Sequence, residues 1–327
     1  MITYFHRNKS CGYSIHKVFS TLEYEIAKYE SIKDHYTQTE RTTPLSIYHN
    51  ILFAYKNRDK YGVNHISGQI HDSIIGLIGC RKILTIHDLV FIRNASNILI
   101  KIYKLIFWVY IPILLADRTI CISKQTQKEI NRYIHSDKIQ VIYNPIDPKI
   151  EFIPKSFNEV KPTILHVGTF WNKNLRRTII ALKDIPCHLR IIGELDNETI
   201  DMLKEYKIDY SNKKDLTDDE IRQEYIHCDI VNFPSIYEGF GMPIIEGQKT
   251  GRVVITSQLE PMIEISGNAV EYVNPYDINS IRDAYLNVIN HPNHREELIR
   301  KGLINVERFD VRKIAKQYMD IYNELRK

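Results

Sequence analysis

The densest concentration of chemistry-bearing residues in this sequence is the run Phe233-Pro234-Ser235-Ile236-Tyr237-Glu238-Gly239-Phe240-Gly241-Met242-Pro243-Ile244-Ile245-Glu246-Gly247. It follows an apolar stretch and leads into a helical pattern, with Pro243 suited to the first turn, where a missing backbone N–H costs nothing. Gly239 and Gly241 admit positive φ and close approach of a ligand. Unpaired backbone N–H groups at such a helix start form an anion site, which the helix dipole reinforces. Glu238 and Glu246 flank this cradle, and carboxylates are poor phosphate partners but good acceptors for sugar hydroxyls. An anion cradle between two hydroxyl acceptors fits a phosphorylated sugar better than bare phosphate. Glu246 taken alone would read as simple compensation of the helix dipole.

A second turn of this kind is Leu165-His166-Val167-Gly168-Thr169-Phe170-Trp171-Asn172-Lys173-Asn174-Leu175. A strand ends at Gly168, and Lys173 stands just before a helix, the end at which a cation opposes the dipole. Binding an anion as a point charge explains that position. A third candidate is His87, in Thr85-Ile86-His87-Asp88-Leu89 at the end of an apolar strand. It is suited to donate to a substrate oxygen or to move a proton. His65, His71 and His166 are lone histidines that read as structural. No D-x-D pair, no phosphate-binding G-x-x-x-x-G-K-[ST] and no G-x-G-x-x-G opening the first βα turn occur. The expectation is therefore chemistry without a metal and without a nicotinamide.

The elements that must position these residues alternate short β-branched runs with helical periods, the pattern of parallel sheets. Strands are expected at Ile2–His6, Val63–Ser67, Lys82–Ile86, Thr119–Ser123 and Ile139–Tyr143, then at Thr163–Val167, His188–Ile192, Asp229–Phe233, Arg252–Thr256 and Val270–Val273. Helices are expected at Lys17–Tyr29, Gln125–Tyr133, Leu175–Lys183, Asp218–His227 and Ile278–Ile289. The sequence thus predicts an α/β protein of two doubly wound, Rossmann-like domains facing across a cleft. They span 1–148 and 163–308, joined by a linker over 149–162. A last amphipathic helix over 309–327 would present Ile314, Tyr318, Ile321, Tyr322 and Leu325 on one face. It would pack on its own domain or cross back to the first.

Bulk properties narrow the function classes. The 327 residues suffice for two domains of roughly 150 residues. A formal charge of +4, spread over both halves, argues against nucleic acid, which needs a concentrated basic stripe. Five scattered cysteines without a C-x-x-C exclude a zinc ribbon, and the start lacks the apolar stretch of a secretory signal, so a cytoplasmic setting is expected. Residues 98–116, ILIKIYKLIFWVYIPILLA, carry no charge after Lys104. Ile98, Ile102, Leu105, Ile106, Val109 and Ile113 would share one face of a helix, with Lys101, Lys104 and Trp108 off it. Such a helix is either buried against a sheet or laid on a membrane surface with its lysines toward anionic lipid.

Glu238 through Glu246 resembles the two-glutamate signature of the retaining glycosyltransferases of family four, which have the GT-B fold. The similarity continues at Val167-Gly168-Thr169, Lys173-Asn174-Leu175, Ile191-Ile192-Gly193, Leu216 through Glu220, Gly251-Arg252-Val253-Val254, and Glu264 with Gly267. It is thinner in the first half, at Thr85–Leu89, Ile122-Ser123 and Val141–Asn144. Within the family the chain resembles short bacterial enzymes that build O-antigen or capsular polysaccharide. The resemblance implies donor-binding positions at Gly168, Thr169, Lys173, Gly193, Leu216, Glu238, Phe240, Gly241, Met242, Pro243 and Glu246. Lys173 would meet the donor pyrophosphate, Glu246 the nucleotide ribose, and Glu238 the transferred sugar. His87 matches a histidine that contacts that sugar, and Gly12 a glycine-rich loop under the phosphates. The pattern departs at Thr169 and Asn172, where many relatives have an arginine; Arg7 or Arg176 would have to supply the missing cation.

The resulting expectation is a retaining, metal-independent hexosyltransferase. It would take a nucleoside diphosphate sugar, GDP-mannose first and a UDP-hexose next, to a growing and lipid-linked oligosaccharide acceptor. His87, Glu238 and Lys173 would serve the reaction, in a protein peripheral to the inner face of the cell membrane. A nucleotide-sugar epimerase shares the architecture but needs a base for a sugar C–H proton. A silent binding subunit would release no nucleotide from the donor.

Overall fold

The computed structural model of the chain describes residues 1–8, 13–38 and 43–327. It divides into two compact units: Met1–Asp147 together with Phe309–Lys327, and Pro148–Arg308. Gly12 lies outside the described residues.

The first unit is built on six strands: β1 (Ile2–His6), β2 (Ile32–Tyr36), β3 (Val63–Ile66), β4 (Arg81–Ile86), β5 (Arg118–Cys121) and β6 (Ile139–Val141). All pair in parallel, in the order β2-β1-β3-β4-β5-β6. Strands covered on both faces carry apolar residues on both sides, and five of these six lie where the sequence predicts strands. The edge strand β2, Ile-Lys-Asp-His-Tyr, is half exposed and gave no such signal. The helix Val311–Arg326 belongs to this unit and buries Ile314, Tyr318, Ile321 and Tyr322. The Tyr322 hydroxyl bonds Tyr4 Oη (2.8 Å) and His65 Nδ1 (2.7 Å), and His65 Nε2 bonds Thr85 Oγ1 (2.8 Å). Burial keeps His65 well below its ordinary pKa, so it serves as a neutral relay between strands and helix.

The segment 98–116 differs from the regular helix expected of it. A helix Ile98–Leu105 passes through a π-helical turn, Ile106–Tyr110, into Ile111–Leu115. The wider turn rotates the apolar stripe. Trp108, Val109, Pro112 and Ile113 face inward, whereas Ile98, Leu99, Ile102, Ile106 and Leu114 are exposed. Trp108 is thus buried, not off the packed face, and Ile98, Ile102 and Ile106 do not share the burial of Val109 and Ile113. Pro112 has no N–H to give the Trp108 carbonyl four residues earlier. His71 Nδ1 donates to that carbonyl instead, at 2.7 Å.

The second unit repeats the plan: β7 (Thr163–Val167), β8 (His188–Ile192), β9 (Tyr210–Lys213), β10 (Ile230–Phe233), β11 (Val253–Ser257) and β12 (Glu271–Val273). The parallel order is β12-β11-β10-β7-β8-β9. Ile164, Leu189, Ile191, Ile230 and Val253 build the core on one face of this sheet, and Leu165, Ile192, Val231, Phe233 and Val254 on the other. Residues 149–162 have no regular structure and run along this unit. Ile153 N donates to Thr250 O (3.3 Å), Lys155 pairs with Asp229, and Phe157 lies under the Arg295 guanidinium. The chain order reverses between β7 and β10, and the crevice beyond the carboxyl ends of such a pair is where doubly wound sheets bind ligands.

Candidate functional site

Both glycine turns singled out in the sequence leave the sheet at that crevice. Past β7, Gly168 adopts φ +91°, and a Cβ there would lie 3.1 Å from the Lys173 stem, so the bare backbone makes room for the lysine. A short 3-10 turn, Trp171–Lys173, follows, and Asn174 takes a left-handed conformation, φ 64°. Its Nδ2 donates to Pro234 O (3.1 Å) and Pro275 O (2.7 Å), pinning this turn to the one past β10. Past β10, Gly241 adopts φ +116° and starts the helix Met242–Thr250, with Pro243 in the first turn and no side chain capping that end. The start of the helix thus presents backbone donors and the positive end of the dipole.

Side chains from the two turns meet. Lys173 Nζ donates to Glu238 Oε1 at 2.6 Å and sits 4.8 Å from the Phe233 ring centroid. Asn172 Nδ2 donates to the same carboxylate oxygen (3.2 Å) and to Tyr237 O (2.9 Å), while Ile236 N donates to Asn172 O (2.8 Å). Lys173 and Glu238 retain 20% and 14% side-chain exposure, so the pair is sheltered yet reachable. Charge-assisted bonds of this length are the strong ones, and a second anion arriving at Lys173 would share its three donors. Glu246 is buried and accepts from Tyr225 Oη at 2.7 Å. Beneath the Gly168 turn, His166 is buried and its pKa falls to about 3, through desolvation first and the Lys173 charge second, so it adds no positive charge.

Thr169 and Gly193 stand side by side past β7 and β8, and Leu216 packs on the Leu165 and Val231 core. Phe240 is buried, and Met242 and Pro243 are half buried at the helix start. One compact unit therefore brings together Gly168, Thr169, Lys173, Gly193, Leu216, Glu238, Phe240, Gly241, Met242, Pro243 and Glu246.

Comparison with known proteins speaks to family and fold. Residues 148–303 match the family described as "Glycosyl transferases group 1", and residues 40–150 match "Glycosyltransferase Family 4". The chain is a family-four glycosyltransferase. It is 26% identical over 283 residues to the O-antigen chain mannosyltransferase RfbU of Salmonella typhimurium, covering 83% of this chain and 78% of that one. It is 23% identical to the O-antigen chain mannosyltransferase B of Escherichia coli, covering 64% of this chain and 61% of that relative. Sucrose-phosphate synthase from Thermosynechococcus elongatus shares the fold with a TM-score of 0.79 over 99% of both chains, at 17% identity. The fold is GT-B, and the enzyme is a hexosyltransferase.

The remaining residues flagged in the transferase fall elsewhere. His87 belongs to the first unit, at the end of β4, where its Nε2 donates to Ser67 O (2.8 Å) and its ring lies 5.8 Å from that of Phe19. Burial lowers its pKa to about 4, so it is a neutral imidazole. Arg176 is committed to surface pairs with Asp196 (3.1 Å) and Glu198 (2.8 Å), and Arg7 donates to Gln69 Oε1 (3.4 Å) in the first unit. Two site residues escaped the sequence. Asn172, noted only as a missing arginine, orients Glu238, and Tyr225 holds Glu246 from a different helix. Nothing in the spacing of Tyr225 announces that contact. Asn172 was within reach, being an amide two residues before a left-handed asparagine.

Proposed function

We propose that this glycosyltransferase moves a hexose, mannose first among candidates, from a nucleoside diphosphate sugar to a growing, lipid-linked surface polysaccharide, with retention and without a metal at the pyrophosphate. The observation that carries the reading is the sheltered Lys173–Glu238 pair beside the uncapped helix start at Gly241. Breaking the sugar–phosphate bond puts positive charge on the anomeric carbon and negative charge on the departing diphosphate. Lys173 and the helix start stabilise that diphosphate, the work a metal would otherwise do. Glu238 lies against the transferred sugar, and Glu246, held by Tyr225, accepts from the ribose hydroxyls. The acceptor hydroxyl attacks the face the diphosphate leaves, and its proton passes to the departing phosphate oxygen. His87, neutral and with its Nε2–H engaged by Ser67 O, does not act as a proton carrier. GDP-mannose is the first donor to try because both O-antigen relatives are named mannosyltransferases.

A lipid-linked acceptor accords with the exposed apolar face of 98–116, where Leu99 is 74% and Ile98 65% exposed. Trp108, Val109, Pro112 and Ile113 anchor the same segment in the first unit, so it lies on an anionic membrane surface and does not cross it. The setting that follows is the cytoplasmic side of the cell membrane. The test is a thermal-shift panel of GDP, UDP, ADP and dTDP, with and without magnesium. A nucleotide at a hundred times its Kd stabilises by about 2.7 kcal/mol. One base should win equally with and without magnesium, and Lys173→Ala and Glu238→Ala should each lower turnover at least about tenfold. Wild-type turnover in both folded variants refutes the site assignment.

A further inference from the structure

The first unit contains a cluster that takes no part in the donor site. His6 at the end of β1, Glu23 on the helix Tyr13–Ile26 and Asp34 on β2 bring one ligand atom each to within 4.8 Å of one another. His6 Nε2 lies 3.1 Å from Glu23 Oε1 and 3.6 Å from Asp34 Oδ1. Tetrahedral ligands on an ion with bonds near 2.0–2.2 Å stand about 3.3–3.6 Å apart, so these spacings suit a small divalent cation.

Two independent observations point the same way. His6 Nε2 and Glu23 Oε1 are buried atoms with no hydrogen-bond partner, in residues only 4% and 8% exposed. They approach closely, but without the alignment of a hydrogen bond. The other ring nitrogen has a partner: His6 Nδ1 lies 2.7 Å from Ser67 Oγ, which also lies 3.2 Å from Phe5 O. That second-shell bond is the one metal-bound imidazoles almost always make. It leaves the Nε2 position aimed at two carboxylates. A divalent cation between neutral imidazole and two carboxylates brings the sum of charge to zero, which favours it away from water.

We infer that His6 Nε2, Glu23 and Asp34 bind a divalent transition-metal cation of the zinc class, its fourth position open toward solvent on the side of Asp34. Asp34 keeps 37% side-chain exposure and provides the way in. One nitrogen and two carboxylate oxygens suit Zn2+ and its neighbours better than magnesium, which prefers octahedral oxygen. The ion ties β1, β2 and the first helix together and is separate from the donor chemistry.

The test is calorimetric titration of the chelator-treated protein with Zn2+, with the visible spectrum of Co2+ as a second readout. The expected result is one ion per chain, a tetrahedral Co2+ spectrum, and an affinity at least about 100-fold weaker in Asp34→Asn. That variant changes a partly exposed carboxylate to its isostere and should fold; Glu23→Gln is the second variant. No uptake at about 0.1 mM Zn2+, or uptake that both variants leave unchanged, overturns the assignment.

Discussion

Removing one oxygen atom tests how Glu246 is held. Tyr225 is fully buried among Leu165, Val231 and Ile244, so Tyr225→Phe keeps the ring packing and deletes only the hydroxyl 2.7 Å from Glu246 Oε2. A hydrogen bond to a charged acceptor contributes about 1.5–3 kcal/mol. The second unit spans Pro148–Arg308, and a domain of that size shifts by about 2–4 °C per kcal/mol. Its melting transition should therefore fall by about 3–12 °C. The functional readout is sharper. On the proposed role of Glu246 at the nucleotide ribose, losing this support weakens donor binding uniformly, so KM for the donor should rise about tenfold with kcat nearly unchanged. In a Glu246→Gln background the same substitution should cost about 1 kcal/mol less, since a neutral acceptor bonds more weakly. A Tyr225→Phe enzyme that melts with wild type and keeps its donor KM refutes the reasoning.

Asp72 gives a pH prediction. It is fully buried, and burial raises its pKa from 3.8 to about 7. The folded state thus binds more protons than the unfolded one between those values, so this group's stabilising contribution is complete below pH about 4 and lost as pH rises through about 7. Asp72→Asn should match wild type near pH 4 and exceed it at pH 8 by up to about 4 kcal/mol in urea unfolding; an unchanged difference across that range contradicts it. On the membrane face, Leu99→Glu with Ile102→Glu should abolish flotation with anionic liposomes at low salt while leaving the melting temperature within about 1 °C, because both side chains are solvent-exposed. Flotation equal to wild type removes the membrane contact.

Of the twelve strands among the described residues, ten lie where β-branched and apolar residues predict them, because parallel strands are covered on both faces. The two that do not, β2 (Ile-Lys-Asp-His-Tyr) and β9 (Tyr-Ser-Asn-Lys), are both sheet edges, where exposure permits polar residues and erases the pattern. The donor turns were legible because Gly168, Gly241 and Lys173 are where backbone conformation and dipole physics forbid easy substitutes. What the sequence withheld lies between elements. Tyr225 reaches Glu246 from another helix, and Asn172 reaches Glu238 across two turns. The π-helical turn at Ile106–Tyr110 rotated a stripe that a regular period had assigned to one face.

The helix Val311–Arg326 gives the first unit an unusual history of assembly. The bond between Tyr4 and Tyr322 joins positions 318 apart, and Arg326 pairs with Glu30 across nearly the same span. A ribosome delivers residues in order, so the whole second unit, contiguous from Pro148 to Arg308, is available to fold before the first unit receives its last helix. During that interval the groove that will take Ile314, Tyr318 and Tyr322 stands open, with His65 and Tyr4 unpartnered by the helix. The nascent protein therefore carries an exposed hydrophobic seam until the helix Val311–Arg326 has been made. A chaperone that shields apolar surface would find its natural client there, in the half of the chain made first and completed last.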